Sequence, residues 1–404
     1  MMAFPPMNPL VLSHYTLTSG LGRGCEATYA ALGARRSGLR PCDFEDAALD
    51  TWIGRVAGLE GEPLPGAWRA FDCRNNRLAL VGLRQDGFEY AAHAARERYG
   101  AERVAVLLGT STSGILETEH AYQRRDPECG ALPAEFIERY PYCHNTFSVA
   151  AFVRRYLGLH GPTAVISTAC SSSAKVFASA ARLMRAGLCD AAVVGGVDSL
   201  CLTTLYGFAA LELTAAGPCR PCDAERDGLS IGEAAGFALL ERVDVAGSAG
   251  AVALLGYGES GDGYHMSHPH PQGLGAIAAM REGLARAGLA AGDIDYVNLH
   301  GTGTRANDLI EDRAVSIVFG RGTPCSSTKG WTGHTLGAAG IAEAVIGALC
   351  LSRGLLPGTL NTTRLDPVLT SAIRLDNEAR PIRRLLSNIF GFGGNNCSLV
   401  FGGL

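Results

Sequence analysis

Four side chains in this chain have types and surroundings that suit them to chemistry: Cys170, His300, Lys329 and His334. Cys170 lies in ISTACSSSAKVFASAARLMRAG, residues 166–187. His300 lies in VNLHGTGTRANDLIED, and Lys329 and His334 in SSTKGWTGHTLGAAG. A cysteine thiolate can hold an acyl group as a thioester. Imidazoles can donate hydrogen bonds to a carbonyl oxygen on which negative charge develops. A thioester holder beside an enolate stabiliser is what carbon–carbon bond formation from malonyl groups requires. A cysteine hydrolase needs one histidine base, an Asn or Asp to orient it, and access for water.

These residues need elements to position them. The run before Cys170 reads as a short apolar strand, 164–168, and the run after it as a helix. Ala174, Phe177, Ala178, Ala181, Met184 and Leu188 recur at helical spacing, and Gly187 stands where a helix stops. Ser171, Ser172 and Ser173 offer capping hydroxyls. The expectation is a thiol at a helix N-terminus, where orphan N–H groups and the helix dipole ease loss of its proton. His300 follows an apolar strand, 296–299, and His334 precedes an alanine-rich helix, 335–353. The C-terminal SNIFGFGGNNCSLV reads as a glycine turn at a strand end, centred on Phe392. Neither a GxxxxGK[ST] loop nor a GxGxxG between strand and helix is present.

Strands alternate with helices along the whole chain, which indicates a layered α/β fold. Two halves of similar style hint at a duplication, with a Gly/Ala-rich seam at 247–250. Residues 71–100 read as one long helical stretch whose arginines form a solvated face. The net charge of −4 gives no global basic field for nucleic acid. The thirteen cysteines are scattered without a framework, as in a reducing cytoplasm. Cys219 and Cys222 form a CxxC without a second pair. The start, MMAFPPMNPLVLSHYTL, lacks the basic region of a signal peptide, and no apolar run reaches the length of a membrane span.

Five motifs in fixed order, TACSSS, RPCDAERDG, LHGTGT, STKGWTGHTLGAAG and NIFGFGGNN, resemble those of the β-ketoacyl-acyl carrier protein synthases, the elongating condensing enzymes of the thiolase superfamily. The resemblance covers nearly the whole chain. It implies a five-layered αβαβα sandwich of two duplicated halves, 1–246 carrying Cys170 and 247–404 carrying both histidines, Lys329 and Phe392. It implies that Cys170 takes an acyl chain from an acyl carrier protein. His300 and His334 then stabilise the enolate formed by decarboxylation of malonyl-carrier protein, and Lys329 supports the site electrostatically. The N–H groups of Cys170 and Phe392 are implied as the oxyanion hole, Phe392 as the gate of the acyl pocket, and Glu311 and Asp308 as supporting carboxylates. No redox cofactor or catalytic metal is implied; a structural monovalent cation near Glu311 is. The partners implied are the carrier protein and a second subunit, identical or related.

The Cys-His-His set separates the chain from initiating synthases, which carry Cys-His-Asn, and from thiolases, which carry a second active cysteine. Chain-length-factor subunits lack the nucleophile. Departures from the family pattern are Cys222 in place of Phe, Trp331 in place of a smaller residue and Asn395 in place of Thr. FDCRNNR and KGWTGHT resemble condensing enzymes of aryl polyene or other specialised clusters. Arg69, Arg74 and Arg77 are candidates for docking the acidic carrier protein. His265, His268 and His270 have a spacing that could hold a metal or simply form a solvated loop. A cysteine-dependent acyl hydrolase or acyltransferase, and a non-catalytic partner subunit, stay open as alternatives.

Overall fold

The computed structural model describes residues 6–246 and 250–404, so most of the expected seam at 247–250 lies outside the described residues. Apart from two two-residue strands, Gly22–Arg23 and Ala372–Ile373, the first half contributes to the main sheet β1 (Leu10–Ser19), β2 (Val104–Gly109), β3 (Thr163–Ile166), β4 (Ala191–Asp198) and β5 (Ala234–Arg242). The second half contributes β6 (Val252–Gly261), β7 (Tyr296–Asn298), β8 (Pro324–Ser326), β9 (Arg384–Gly391) and β10 (Asn395–Gly403). In spatial order the first half reads β1-β5-β4-β2-β3 and the second β6-β10-β9-β7-β8. The sense of pairing matches as well. The first two pairings in each half are antiparallel and the last two parallel. The second half therefore repeats the first strand for strand, which is the duplication that the sequence hints at.

The halves meet in the main chain through β1 and β6, where Leu10 pairs with Leu254 and Val11 with Ala253. The helices are α1 (Arg74–Leu83), α2 (Phe88–Tyr99), α3 (Ser148–Tyr156), α4 (Ser172–Arg185), α5 (Leu202–Ala210), α6 (Leu274–Ala287), α7 (Arg305–Phe319) and α8 (Ala339–Arg353). Helices α4 and α8 each contact strands of both halves and pack on each other, forming the middle layer. Their alanine-rich sequences permit this. A Cβ on Gly340 would lie 2.4 Å from the Ala174 nitrogen, so only glycine allows the helices to approach so closely. Helices α1, α2 and α3 cover one outer face, and α6 and α7 the other. The layers alternate α, β, α, β, α.

Among the described residues, one run, 336–353, has the length and hydropathy of a membrane span, and it lies mostly buried in the middle layer. Burial between the two halves of the sheet, rather than lipid, accounts for its composition.

Two local expectations need correction. The stretch 71–100 is two helices, broken where Asp86 and Gly87 adopt φ of 53° and 70°. Asp86 has a task there: its carboxylate accepts the N–H of Cys25, at the start of the helix Gly24–Gly33. The serines after Cys170 do not cap α4. Ser171 Oγ donates to the Thr168 carbonyl at 2.9 Å, and Ser172 Oγ donates to the Ala169 carbonyl while accepting the Thr168 N–H. They fasten the turn instead. That turn is tight, since Ala169 sits at φ 53°. Gly187, at φ 71°, ends α4 as the spacing predicts.

Candidate active site

The duplication explains how distant motifs meet. In each half the third strand in chain order leads to a middle-layer helix: β3 runs through Cys170 into α4, and β8 runs through Lys329 and His334 into α8. Since α4 packs on α8, Cys170 faces His334 across the seam. His300 follows β7, the neighbour of β8. His334 Nε2 is 3.0 Å from Cys170 Sγ. The two imidazole rings stand 5.2 Å apart, at 85° to each other. All three side chains are buried at the bottom of a cavity that Phe208, Leu213 and Phe392 also line.

The other nitrogen of each ring is already engaged. His334 Nδ1 accepts the Leu336 N–H at 3.3 Å, and His300 Nδ1 lies 3.3 Å from the Lys329 ammonium. An ammonium can only donate. Both Nδ1 atoms are therefore acceptors, and each neutral ring carries its proton on Nε2. Burial, and next the charge of Lys329, hold both imidazoles well below their ordinary pKa, so they stay neutral. Lys329 also donates to the His300 carbonyl and is paired with Glu343 at 2.5 Å. Glu311 accepts the N–H groups of His300 at 2.8 Å and Gly301 at 2.7 Å, which fixes the backbone under His300. Asp308 acts one step further out. It accepts the N–H of Cys222 at 2.8 Å and pairs with Arg226, bracing the RPCDAERDG loop.

The thiol does not behave as its place at a helix start suggests. Burial pushes Cys170 up to about 11, against opposing contributions from the Phe392 N–H, Lys329 and its own N–H. Desolvation of the anion outweighs the helix end. The N–H groups of Phe392 and Cys170 thus lie on the side of the thiol where they favour its anion. Alkylation of Cys170 by iodoacetamide is expected to quicken about tenfold per pH unit across the neutral range, because the thiolate fraction grows in that proportion. A rate that levels off near pH 7, followed by peptide mapping, would contradict this.

Burial also pushes Glu311 and Glu343 up to about 7, from an ordinary value of 4.5. Both hold their protons more tightly folded than unfolded. The stability this confers is present below the ordinary value and is lost as pH rises through about 7. Glu343→Gln is expected to flatten the decline in melting temperature over that window; an identical slope in variant and parent would contradict the assignment.

Cys170, His300 and His334 form the one group of three metal-type donors among the described residues, all within 4.8 Å. The Lys329 ammonium beside His300 opposes a dication there. The other cysteine and histidine motifs do not converge. Cys219 and Cys222 are both buried, and the Cys219 thiol donates to the Lys329 carbonyl at 3.2 Å. His265 and His268 are exposed with their Nδ1 atoms 3.2 Å apart, while the His270 ring packs on Tyr264. This loop lies at the cavity mouth, where the Met266 carbonyl accepts the Gly393 N–H. Both Glu311 oxygens, where the cation is expected, already accept N–H groups, and the buried carboxylate oxygen without a hydrogen-bond partner is Glu343 Oε2, on the Lys329 side of the site.

The model described as the beta-ketoacyl synthase N-terminal domain matches residues 82–246, and that of the C-terminal domain matches residues 251–363. The chain belongs to the β-ketoacyl synthase family. It is 38% identical to the mitochondrial 3-oxoacyl-[acyl-carrier-protein] synthase of Arabidopsis thaliana, over 97% of this chain and 92% of that one. It is 31% identical to 3-oxoacyl-[acyl-carrier-protein] synthase 2 of Mycobacterium tuberculosis (strain H37Rv), over 99% and 98%. Among solved structures it resembles a chain of the complex between a ketosynthase and its chain length factor from Xenorhabdus doucetiae. There the TM-score is 0.87 and the identity 36%, with 100% of both chains covered. A β-ketoacyl synthase from Burkholderia phymatum has a TM-score of 0.87 at 29% identity, over 98% of this chain and 100% of that one.

In this β-ketoacyl synthase the docking candidates separate. Arg74 is a correction. It is 5% exposed, and its guanidinium is committed to Glu233 at 2.6 and 2.9 Å and to Glu60 at 2.6 Å. A buried, paired guanidinium has nothing to offer a carrier protein, and its place in an arginine-rich stretch concealed this. Arg77 is half-buried against Asp72, and Arg69 is exposed. Trp331 is wholly buried in the core.

Sequence reading missed three residues. Glu343 is the single acidic residue in the otherwise apolar body of α8, which was a signal. Phe208 stacks on Phe392 with ring centroids 5.6 Å apart, and nothing in its segment marks it. Asp198 ends an all-apolar strand run and is completely buried.

Proposed function

We propose that this chain lengthens an acyl group by decarboxylative Claisen condensation with malonyl-acyl carrier protein. The Cys170 thiolate attacks the carrier-bound acyl thioester; the acyl group moves to sulfur, and the carrier thiol leaves with the proton. Malonyl-carrier protein then loses carbon dioxide, and the electron pair of the broken carbon–carbon bond becomes an enolate. The Nε2–H groups of His300 and His334 donate to the enolate oxygen. The enolate carbon attacks the Cys170 thioester, whose oxyanion lies against the N–H groups of Cys170 and Phe392. Collapse expels the thiolate and releases β-ketoacyl-carrier protein.

The observation that carries this reading is the pair of neutral imidazoles with both Nδ1 atoms engaged as acceptors. Two donors directed at one oxyanion fit enolate formation. A hydrolase has use for one base and a water, and Lys329 has no part in it. The presence of Cys170 speaks against a non-catalytic subunit. Lys329 fixes the His300 tautomer, Phe392 gates the acyl pocket against Phe208, and Glu311 and Asp308 hold the loops. A monovalent cation would be held by Glu343 Oε2 and would supply local charge neutralisation.

The carrier protein is the partner in the names of the relatives, and Arg69 and Arg77 are its docking residues here. A second chain of the same fold, either a copy or a chain length factor, completes the assembly. The structural relative from Xenorhabdus doucetiae has such a partner, and Tyr122, Ile137, Tyr140 and Phe147 are exposed apolar side chains that a partner would cover. The thirteen free cysteines support a reducing, cytoplasmic setting. FDCRNNR and KGWTGHT support a specialised pathway of the aryl polyene type. Incubation with acyl- and malonyl-carrier proteins tests the reaction class: a carrier-bound β-keto product supports it, and free acid alone identifies a hydrolase.

A further inference from the structure

We infer that Asp198 is a positioning residue for His334, acting through the turn at Leu336 and Gly337; the inference rests on the role given to His334 above. Asp198 is the last residue of β4 and is completely buried. Its Oδ1 accepts four hydrogen bonds from the loop after β2: Thr110 Oγ1 at 2.7 Å, Ser111 N–H at 2.8 Å, Thr112 N–H at 2.9 Å and Thr112 Oγ1 at 2.8 Å. Its Oδ2 reaches into the other half and accepts the Gly337 N–H at 2.6 Å. One carboxylate thus pins the β2 loop to the segment that follows His334.

That segment needs holding. Leu336 has φ 51°, the left-handed conformation that a side chain with a Cβ avoids. Two successive N–H groups keep it there. The Leu336 N–H goes to His334 Nδ1 at 3.3 Å, and the Gly337 N–H goes to Asp198 Oδ2. The second bond is the stronger, being short and charge-assisted. Without it Leu336 is free to relax to negative φ, which turns its own N–H away from His334. The Nδ1 proton acceptor role is then no longer imposed, and the ring can place its proton on Nδ1 and its lone pair towards the sulfur. In that tautomer it cannot donate to an enolate. The fit around Asp198 is tight: a Cβ on Gly337 would lie 2.7 Å from Asp198 Oδ2.

Asp198→Asn tests the link. Four donors hold the Oδ1 position, so the amide oxygen stays with them and the NH2 group faces the Gly337 N–H, donor against donor. The expected result is a fall of about 10²-fold in kcat for malonyl-carrier decarboxylation, of the size a misplaced catalytic group produces. The KM should stay unchanged. In a Leu336→Gly background, where glycine takes positive φ freely, the loss on adding Asp198→Asn should shrink to less than about tenfold. A role confined to fold stability would not be relieved by a glycine at 336. Nitrogen NMR of 15N-histidine protein gives a readout independent of turnover: His334 Nδ1 is unprotonated in the parent and becomes protonated in Asp198→Asn. Parent-like kcat and tautomer in that variant, or no relief by Leu336→Gly, would overturn the inference. Should Asp198→Asn not fold, Gly337→Ala displaces the carboxylate instead, and an unchanged His334 tautomer there would overturn it equally. A parent enzyme that releases no carbon dioxide would defeat the functional reading, while the tautomer comparison would still decide the positioning role.

Discussion

Cys170→Ala protein is expected to take up no acyl group from any acyl carrier protein and still to release carbon dioxide from malonyl-carrier protein. The sulfur is the nucleophile at the bottom of the cavity, 3.0 Å from His334 Nε2. Its removal leaves nothing to hold a thioester, and condensation should fall by roughly 10⁶-fold, as when a nucleophile is deleted from an acyl-transfer enzyme. Decarboxylation has different needs. The electron pair released with carbon dioxide must be accommodated on an oxygen, and the two Nε2–H donors remain in place. The mutant therefore separates the half-reactions. Acyl adducts read by mass, and carbon dioxide release read in parallel, check both parts. An acyl adduct on the alanine variant would place the nucleophile elsewhere.

His300→Ala and His334→Ala are expected to show the converse: acylated protein that does not condense. Each substitution removes one donor from the developing oxyanion, and a single donor of this kind contributes about 10²- to 10³-fold. The double variant should lose less than the product of the two, since the pair acts on one oxygen. His334 also touches Cys170, so its loss should slow acyl loading as well, by a smaller factor. His300 does not share that contact, and its variant should load at the parental rate. Single-turnover loading, followed by condensation measured on the preloaded protein, distinguishes the steps. Normal condensation by His334→Ala would remove the role assigned to it.

How far the sequence revealed this site depended on what each residue shares with its neighbours in the chain. Cys170, His300, Lys329 and His334 each sit in a short motif, and motif order alone brought them together. The alternation of strands and helices gave the layers, and the duplicated pairing order in the structure explains why two strand-turn-helix units converge. Electrostatics was less legible. The helix start at Cys170 suggested an acidic thiol, but burial acts over the whole side chain and no local pattern reports it; the structure pushes the thiol up instead. Arg74 looked like a surface charge because its partner, Glu233, lies far away in sequence. Asp198 was invisible for the same reason: all its donors come from two loops, one in each half. Contacts between residues distant in sequence leave no periodicity to read.

The most direct test is intact-protein mass spectrometry after mixing the protein with a panel of saturated and polyunsaturated acyl carrier proteins and then adding malonyl-carrier protein. The expected result is a mass increase of one acyl group localised to Cys170, which disappears on malonyl addition as carrier protein bearing a β-ketoacyl chain two carbons longer is formed. An adduct that disappears only as free acid, or no adduct with any donor in the presence of a partner subunit, would contradict the condensing function.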